Sequence, residues 1–382
     1  MQLSPSQQIR RQLRQRILDG QFEAAGTLPT IRSLAKSFNV STKTVQKAIH
    51  ALSAEGIIEA KRGTGLFIKS QAFKPGSGGQ RIGLLHASAP EYLNGELYPK
   101  PIIDTLTADM QAAGYTLVPC SLAKLDRLAL EAELIKLKLG GLILFEVDAD
   151  RVIFELLELR LPMLSIDHDC YRHGVSCVVF DNIFGSFQTT RHLIAQGHRH
   201  ITCLRPLMVS RIHNNNSLTP IEDERLKGYC VAMQEAGLPL DVQEYSTRIP
   251  GGTEQILLKL LGRRPAPTAF VCDSDGNALS IINEVRKLGF RVPQDISFVG
   301  FGDFGTEFDP GKRVTTCRVD YGEVGHVSAK LFLDILAGKV ARPERKIIPT
   351  TLVLRDSSAP PPALGAAPAV PATVSTAAPV AV

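Results

Sequence analysis

Residues 41–65 read S-T-K-T-V-Q-K-A-I-H-A-L-S-A-E-G-I-I-E-A-K-R-G-T-G, and the rest of the chain is understood outward from them. Val45, Ala48, Ile49 and Leu52 fall at helical spacing and form one apolar stripe, while Thr42, Lys43, Gln46, Lys47 and His50 project from the opposite side. The Ser41 hydroxyl suits an N-cap, and Gly56 suits the left-handed residue that closes a helix. The exposed face is short, hydrogen-bonding and cationic, which is the chemistry that meets base edges and phosphates.

On the N-terminal side, Ser4-Pro5 reads as a cap with proline at the first helical position, and Ile9, Leu13 and Ile17 then recur every fourth residue. Arg10, Arg11 and Arg14 turn outward from this first helix. After a turn over residues 24–28, Pro29-Thr30 starts a second helix with Ile31, Leu34, Ala35 and Phe38 inward, ending at Asn39. Ser41 opens the third helix almost at once, and two helices joined this tightly are a helix-turn-helix signature. Past Gly56, I-I-E-A-K-R-G-T-G-L-F-I-K predicts two short strands around a basic, glycine-rich tip at Lys61, Arg62, Gly63, Thr64 and Gly65.

Charge sets this head apart from the remaining chain. Residues 1–70 hold 11 Lys/Arg against 4 Asp/Glu, a net of +7, which leaves −2 for the remainder of a chain whose total is +5. A basic head on a near-neutral body points to an anionic partner for the head alone, nucleic acid first among them. With 382 residues, 44% of them hydrophobic and 21% charged, the chain has room for two or three soluble domains. The first twenty residues contain four arginines and no continuous apolar run, so a cytoplasmic protein without a secretory signal or membrane span is expected. Seven scattered cysteines without a C-x-x-C pair read as reduced, mostly buried small residues.

Residues 71–80, Q-A-F-K-P-G-S-G-G-Q, read as a flexible linker between a 1–70 head and an 81–357 body. In the body, short apolar runs (82–86, 116–118, 141–145, 163–166, 177–180, 201–204, 269–272, 296–299) alternate with helical patterns (102–113, 125–139, 184–196, 224–236, 278–288, 323–337). Strand and helix in alternation predict parallel sheets flanked by helices, with ligands bound beyond the C-terminal strand ends. Residues 358–382 are almost entirely Ala, Pro and Val, and are expected to be disordered.

The motifs I-L-D-G-Q-F at 17–22, the run from Gly26 to Ile58 containing L-P-T-I-R, and G-T-G-L-F-I at 63–68 together resemble the GntR-family winged helix-turn-helix domain. The resemblance implies an α+β head whose third helix enters the major groove and whose wing touches the minor groove or backbone of double-stranded operator DNA. Carried over position by position, it assigns DNA contacts to Arg32, Ser41, Lys43, Thr44 and Gln46 and to Gly63, Thr64 and Gly65. The exposed positions Thr42, Lys47, Lys61 and Arg62 join them from the residue reading, Thr42 standing where the family commonly has arginine.

Five further stretches, 180–201, 224–238, 267–278, 288–303 and 348–357, are similar to the LacI/GalR-type effector domain, akin to periplasmic sugar-binding proteins. The similarity implies two α/β lobes crossed three times by the chain, near 181, 305 and 340. It also implies a small carbohydrate-like effector between the lobes and a homodimer. Arg225, Asp275 and Asp303 fall on positions that line the ligand site in that family, and His86, Asp167 and His168 are candidates from the first lobe. Two departures stand out, Gly302 where an Asp is usual and Ser274-Asp275 in place of Asn-Asp. The chain thus reads as a repressor-type, effector-controlled transcriptional regulator. An effector-independent regulator with a decayed cleft and a cytoplasmic solute-binding protein on a basic anchor are the alternatives. His168, Asp169, Cys170 and His173 lack zinc spacing, and no nucleophile elbow, P-loop or dinucleotide fingerprint is present, so neither metal, cofactor nor catalysis is expected.

Overall fold

The computed structural model describes residues 4–18, 22, 27–54, 58–61, 65–68, 79–86, 99–122, 134, 136–147, 150–206, 220–246, 251–304 and 314–363. Its head holds α1 (Pro5–Leu18), α2 (Ile31–Ser37) and α3 (Thr42–Ala54) against an antiparallel sheet of β1 (Thr27–Leu28), β2 (Ile58–Lys61) and β3 (Gly65–Ile68). The fourfold repeat of α1 and the stripe of α3 meet in one core of Ile9, Leu13, Ile17, Val45, Ala48, Ile49 and Leu52, closed by Leu34 and Ile58. The expected turn at 24–28 ends instead in a strand, because Thr27 and Leu28 pair with Phe67 and Leu66 and bury Leu28. Gly56 lies outside the described residues, as does most of the expected linker.

In the first lobe, β4 (Arg81–His86), β5 (Thr116–Ser121), β6 (Gly141–Phe145), β7 (Met163–Ile166) and β8 (Ser176–Phe180) form a parallel sheet with β14 (Arg345–Ile348), in the order β14-β8-β7-β6-β4-β5. Period-two side chains divide the apolar runs between two faces. Ile82, Leu84, Ile143 and Phe145 meet α4 (Lys100–Ala112) and α10 (Tyr321–Leu336), while Leu85, Leu142 and Leu144 meet α5 (Asp150–Leu157). The second lobe carries β9 (Ile201–Pro206), β10 (Val242–Tyr245), β11 (Ala269–Cys272) and β12 (Ser297–Val299), parallel and in the order β10-β9-β11-β12. Helices α6 (Asn182–Ala195) and α7 (Pro220–Glu235) cover one face, and α8 (Gly252–Leu261) and α9 (Asp275–Lys287) the other. A Cβ on Gly228 would lie 2.2 Å from the Ile183 carbonyl oxygen, so α6 and α7 touch backbone to backbone there.

Three crossings join the lobes. The chain passes from β8 into α6 at residue 181, as expected, and from β12 through β13 (Thr316–Val319) into α10. The third lies at 349, not 340: Arg345–Ile348 first pairs in parallel with β8 and buries Ile348, and only then does β15 (Thr350–Val353) run back antiparallel to β13. Helices α5 and α8 and strands β10 and β14 add to the sequence expectations, while the helix expected at 125–139 lies largely outside the described residues.

The expectation of disorder from Ser358 onward is corrected for residues 358–363, which are packed on the second lobe. Ala359 donates its N–H to Ser297 Oγ (3.0 Å) and accepts from His198 Nε2 (2.8 Å), and Ser358 Oγ lies 2.9 Å from His192 Nε2. Backbone polar groups in a proline-rich strap are satisfied here by side chains of the lobe, a pairing that composition does not encode. Among the described residues no helix is long and apolar enough to cross a membrane.

Candidate functional site

Ser41 caps α3 as expected: its Oγ accepts from Thr44 N–H (3.1 Å) and lies 2.8 Å from Thr44 Oγ1. Thr30 caps α2 in the same manner, accepting from Ser33 N–H. With both starts fixed, Thr42, Lys43, Gln46, Lys47 and His50 are exposed along α3, Thr44 is half-buried by its cap, and Arg32 is exposed on α2. Lys43, Lys47 and Arg32 form no ion pair among the described residues, so all three charges face solvent. In the wing, Lys61 pairs across the hairpin with Gly65, whose φ of +127° explains the glycine. Arg62, Gly63 and Thr64 lie outside the described residues, as does the side chain of Arg14. Arg10 is half-buried, and Arg11 reaches across to an ion pair with Glu158 of the first lobe.

The second candidate surface lies where the C-terminal strand ends of the two sheets are joined by the hinge. His86 ends β4, and Asp167 and His168 follow β7; all three are buried, Asp167 at a φ of +66°. Arg225 projects from α7, donating Nε–H to Asn182 Oδ1 (2.9 Å) and Nη1–H to the Asp273 carbonyl (2.6 Å), with its guanidinium 4.0 Å from the centre of the Phe301 ring. It thereby bridges the first crossing and the end of β11 while stacked on the end of β12. Asp275, with no exposed surface, accepts the Asp303 N–H at 2.6 Å, and burial pushes its carboxyl up to about 7. Asp303 does not open into the cleft. Its two oxygens take Arg318 Nε and Arg355 Nη2, each at 2.6 Å, one from each hinge strand side.

The Gly302 departure has a steric basis. At φ +118°, a Cβ there would sit 2.5 Å from the Phe304 ring and 2.9 Å from the Tyr321 hydroxyl, so those aromatic groups occupy the space beside it. At the metal-suggestive stretch, Asp169 accepts from Arg345 Nε (2.7 Å) and Tyr171 N–H, and the Cys170 thiol points to Ser165. Among the described residues no group of three His, Cys, Asp or Glu is placed to hold a metal ion, and all seven cysteines are free.

Residues 5–68 match the bacterial regulatory proteins of the gntR family, and residues 190–358 match the periplasmic binding protein-like domain. The chain is a transcriptional regulator with a GntR-type head and a LacI-type body. It is 26% identical over 344 residues to the arabinose metabolism transcriptional repressor of Geobacillus stearothermophilus, a match covering 86% of this chain and 90% of the relative. Two solved structures share the fold. The transcriptional regulator CelR-cellobiose complex has a TM-score of 0.64 at 22% identity, covering 87% of this chain and 100% of that one. A LacI family regulator from Enterococcus faecium with bound ribose has a TM-score of 0.58 at 23% identity, covering 73% and 99%. Relatives of the regulator are regulators, not enzymes.

Several residues around the second candidate surface were not singled out by the sequence, although Asn182 and Phe301 lie within its motifs. Tyr321 is the first residue of α10 behind the Asp320 cap; burial, its largest influence, raises its phenol, and the charges of Arg225, Asp275, Asp167 and Asp303 all act on it. Four of the six expected residues are thus gathered around one phenol. Asn182 orients Arg225 and also donates Nδ2–H to Glu224, while Arg205 is the penultimate residue of β9 and Phe301 supplies the ring beneath Arg225. The available signal for Asn182, Arg205 and Phe301 was positional: each lies at or just past the end of a strand in a parallel sheet, whereas Tyr321 follows the hinge strand β13.

Proposed function

We propose that this regulator represses genes of sugar metabolism, and that its effector is a small carbohydrate-like molecule bound between the lobes of a homodimer in the cytoplasm. The observation that carries the reading is the end-to-end match with an arabinose metabolism repressor, head and body in the same order in one chain. The sugars in the two structural relatives, cellobiose and ribose, support a polyhydroxylated ligand.

Each part of the geometry has a place in that reading. Lys43, Lys47 and Arg32 hold phosphates, while Thr42, Thr44 and Gln46 meet base edges, Gln46 having the paired donor and acceptor that fit adenine. Ser41 sets the helix start, and the paired Lys61 and Gly65 belong to the wing. In the cleft, Arg225 offers its remaining donors to hydroxyls, with His86, Asp167 and His168 facing from the first lobe, and Asp275 and Asp303 shaping the loop at the hinge. An effector touching Arg225 pulls on Asn182, the residue that begins the first crossing, and so biases one lobe arrangement over another.

Gel shifts with DNA flanking the protein's own coding region, with and without arabinose, ribose and cellobiose, test the reading. Specific binding that a sugar weakens is expected. Specific binding indifferent to every sugar favours the effector-independent regulator, which the crowded space at Gly302 also supports. Binding to no fragment above random DNA removes the regulator.

A further inference from the structure

We propose that the effector carries an anionic group, a carboxylate or a phosphate, and that Arg205 is the residue that binds it. The inference rests on the reading of the body as a receptor for a carbohydrate-like molecule, and it sharpens the ligand's chemical class.

Arg205 is the penultimate residue of β9, one of the parallel strands whose C-terminal ends open at the interlobe cleft. Alternation puts it on the face of Ile201 and Cys203, the side covered by α6 and α7, where Arg225 also lies. Only 3% of it is exposed. Its Nε and Nη2 nonetheless have no hydrogen-bond partner among the described residues.

The other arginines in or near the body's interior are treated differently. Arg225 is held by Asn182 and the Asp273 carbonyl, Arg263 by Asp241, Arg345 by Asp169 and Arg355 by Asp303. A guanidinium withdrawn from water without an acceptor is strongly unfavourable, and such groups belong where a ligand supplies the missing acceptor. Asp273 is the acid that feels Arg205, but it makes no ion pair with it. Its carboxylate is taken by Asn277 Nδ2–H at 2.7 Å, and burial raises its pKa while Arg225 and Arg205 only oppose that rise.

The surrounding charges agree with an anion. Arg318 and Arg355 are taken up by Asp303, and Glu224 by Asn182 and Arg345, which leaves Arg205 and Arg225 at the second-lobe strand ends beside Asp273, whose pKa burial raises, and Asp275, shifted to about 7 and so half protonated near neutrality. The first lobe carries Asp167, whose carboxylate accepts from hydroxyls and repels an anion, beside His86 and His168, which suit hydroxyls. This asymmetry orients the ligand, anionic end to Arg205 and hydroxyls to the first lobe. Guanidinium forks bind carboxylate and phosphate oxygens in pairs, so both chemistries fit.

Calorimetric titration and thermal shift of the full chain with D-galacturonate, D-glucose 6-phosphate, D-galactose and D-glucose decide the matter. One anionic probe is expected to bind at least roughly tenfold tighter than its neutral parent, and which one binds separates carboxylate from phosphate. Arg205→Gln should weaken that probe roughly a hundredfold or more, with the unliganded Tm unchanged or raised because an unpaired buried charge is gone. Arg205→Lys, which keeps charge without the fork, should recover part of the loss. Neutral and anionic probes binding alike, or Arg205→Gln binding the anion as well as the parent chain does, overturns the inference and leaves the carbohydrate reading standing. A lowered unliganded Tm in both variants assigns Arg205 to the fold and overturns it too. Failure of all four probes overturns the inference, and failure of arabinose, ribose and cellobiose as well removes the carbohydrate reading with it.

Discussion

Asp275 lies so close to Gly300 that a Cβ on that glycine would meet its Oδ1 at 2.1 Å, and its other oxygen holds the Asp303 N–H. The carboxyl is therefore confined with no exposed surface, and burial raises its pKa from 3.8 to about 7. Because the folded state keeps a proton that the unfolded chain has released, the associated stability is full below 3.8 and is lost as pH climbs through about 7. Asp275→Asn retains an acceptor for Asp303 without the charge, and should stabilise the chain by about 2–4 kcal/mol above neutrality and by little at pH 4. Urea midpoints of the two proteins across this range should diverge with rising pH; parallel curves would mean the carboxylate is not confined as described. Asp275 and Asp303 were legible as residues of a motif, but their roles were not. Which acids face a ligand and which brace a loop depends on Arg318 and Arg355, residues separated from them by strands that only the hinge brings back.

Among the elements, α3 was the most legible, because its stripe, its cap and its partner helix all point to one arrangement. Its exposed face divides by chemistry. Lys43→Ala should weaken operator and random DNA alike, with a salt slope flatter by about one phosphate. Gln46→Ala should instead relax base preference at one position per half-site, by about 1–3 kcal/mol, in a binding-site selection. Interchanged behaviour of the two variants would reverse these assignments. The strap at 358–363 was illegible, since nothing in its composition signals that His198 and Ser297 wait for the Ala359 backbone and His192 for the Ser358 hydroxyl. Burial lowers the pKa of both histidines below 6.5. The unfolded chain then binds more protons there, so the strap's stabilisation is present above 6.5 and falls as pH drops through the lowered values. A chain ending at residue 356 should lose both the strap's contribution to Tm and most of this acid sensitivity, whereas one ending at 363 should keep both. The short edge strand β14 escaped the sequence reading for a related reason: Arg345 and Lys346 are polar, and they become a strand only because β8 offers an unpaired edge.

At the scale of the whole molecule, the alternation of strand and helix was readable because sheets buried on both faces demand apolar runs. The point of return to the second lobe was not, since a crossing is a property of pairing partners and not of local composition. Linkage sets what the assembled protein must do. If a sugar lowers operator affinity by some factor, commonly roughly 5- to 150-fold, operator DNA must lower sugar affinity by the same factor. Titrating the sugar with and without a saturating operator duplex should return equal factors, and unequal ones would place the sugar's effect outside this equilibrium.

Among the described residues, an ion pair ties the head to the first lobe. The chain between head and body leads into β4 of the first lobe, and the Arg11–Glu158 ion pair joins α1 to that same lobe. The head is a passenger of the first lobe, whereas Arg205 and Arg225 belong to the second. A message from these arginines passes from one lobe to the other before it reaches DNA, and three strands of chain cross there. The hinge is thus the narrowest channel in the molecule, and Asp303, gripped by an arginine on either hinge strand, sits at its throttle.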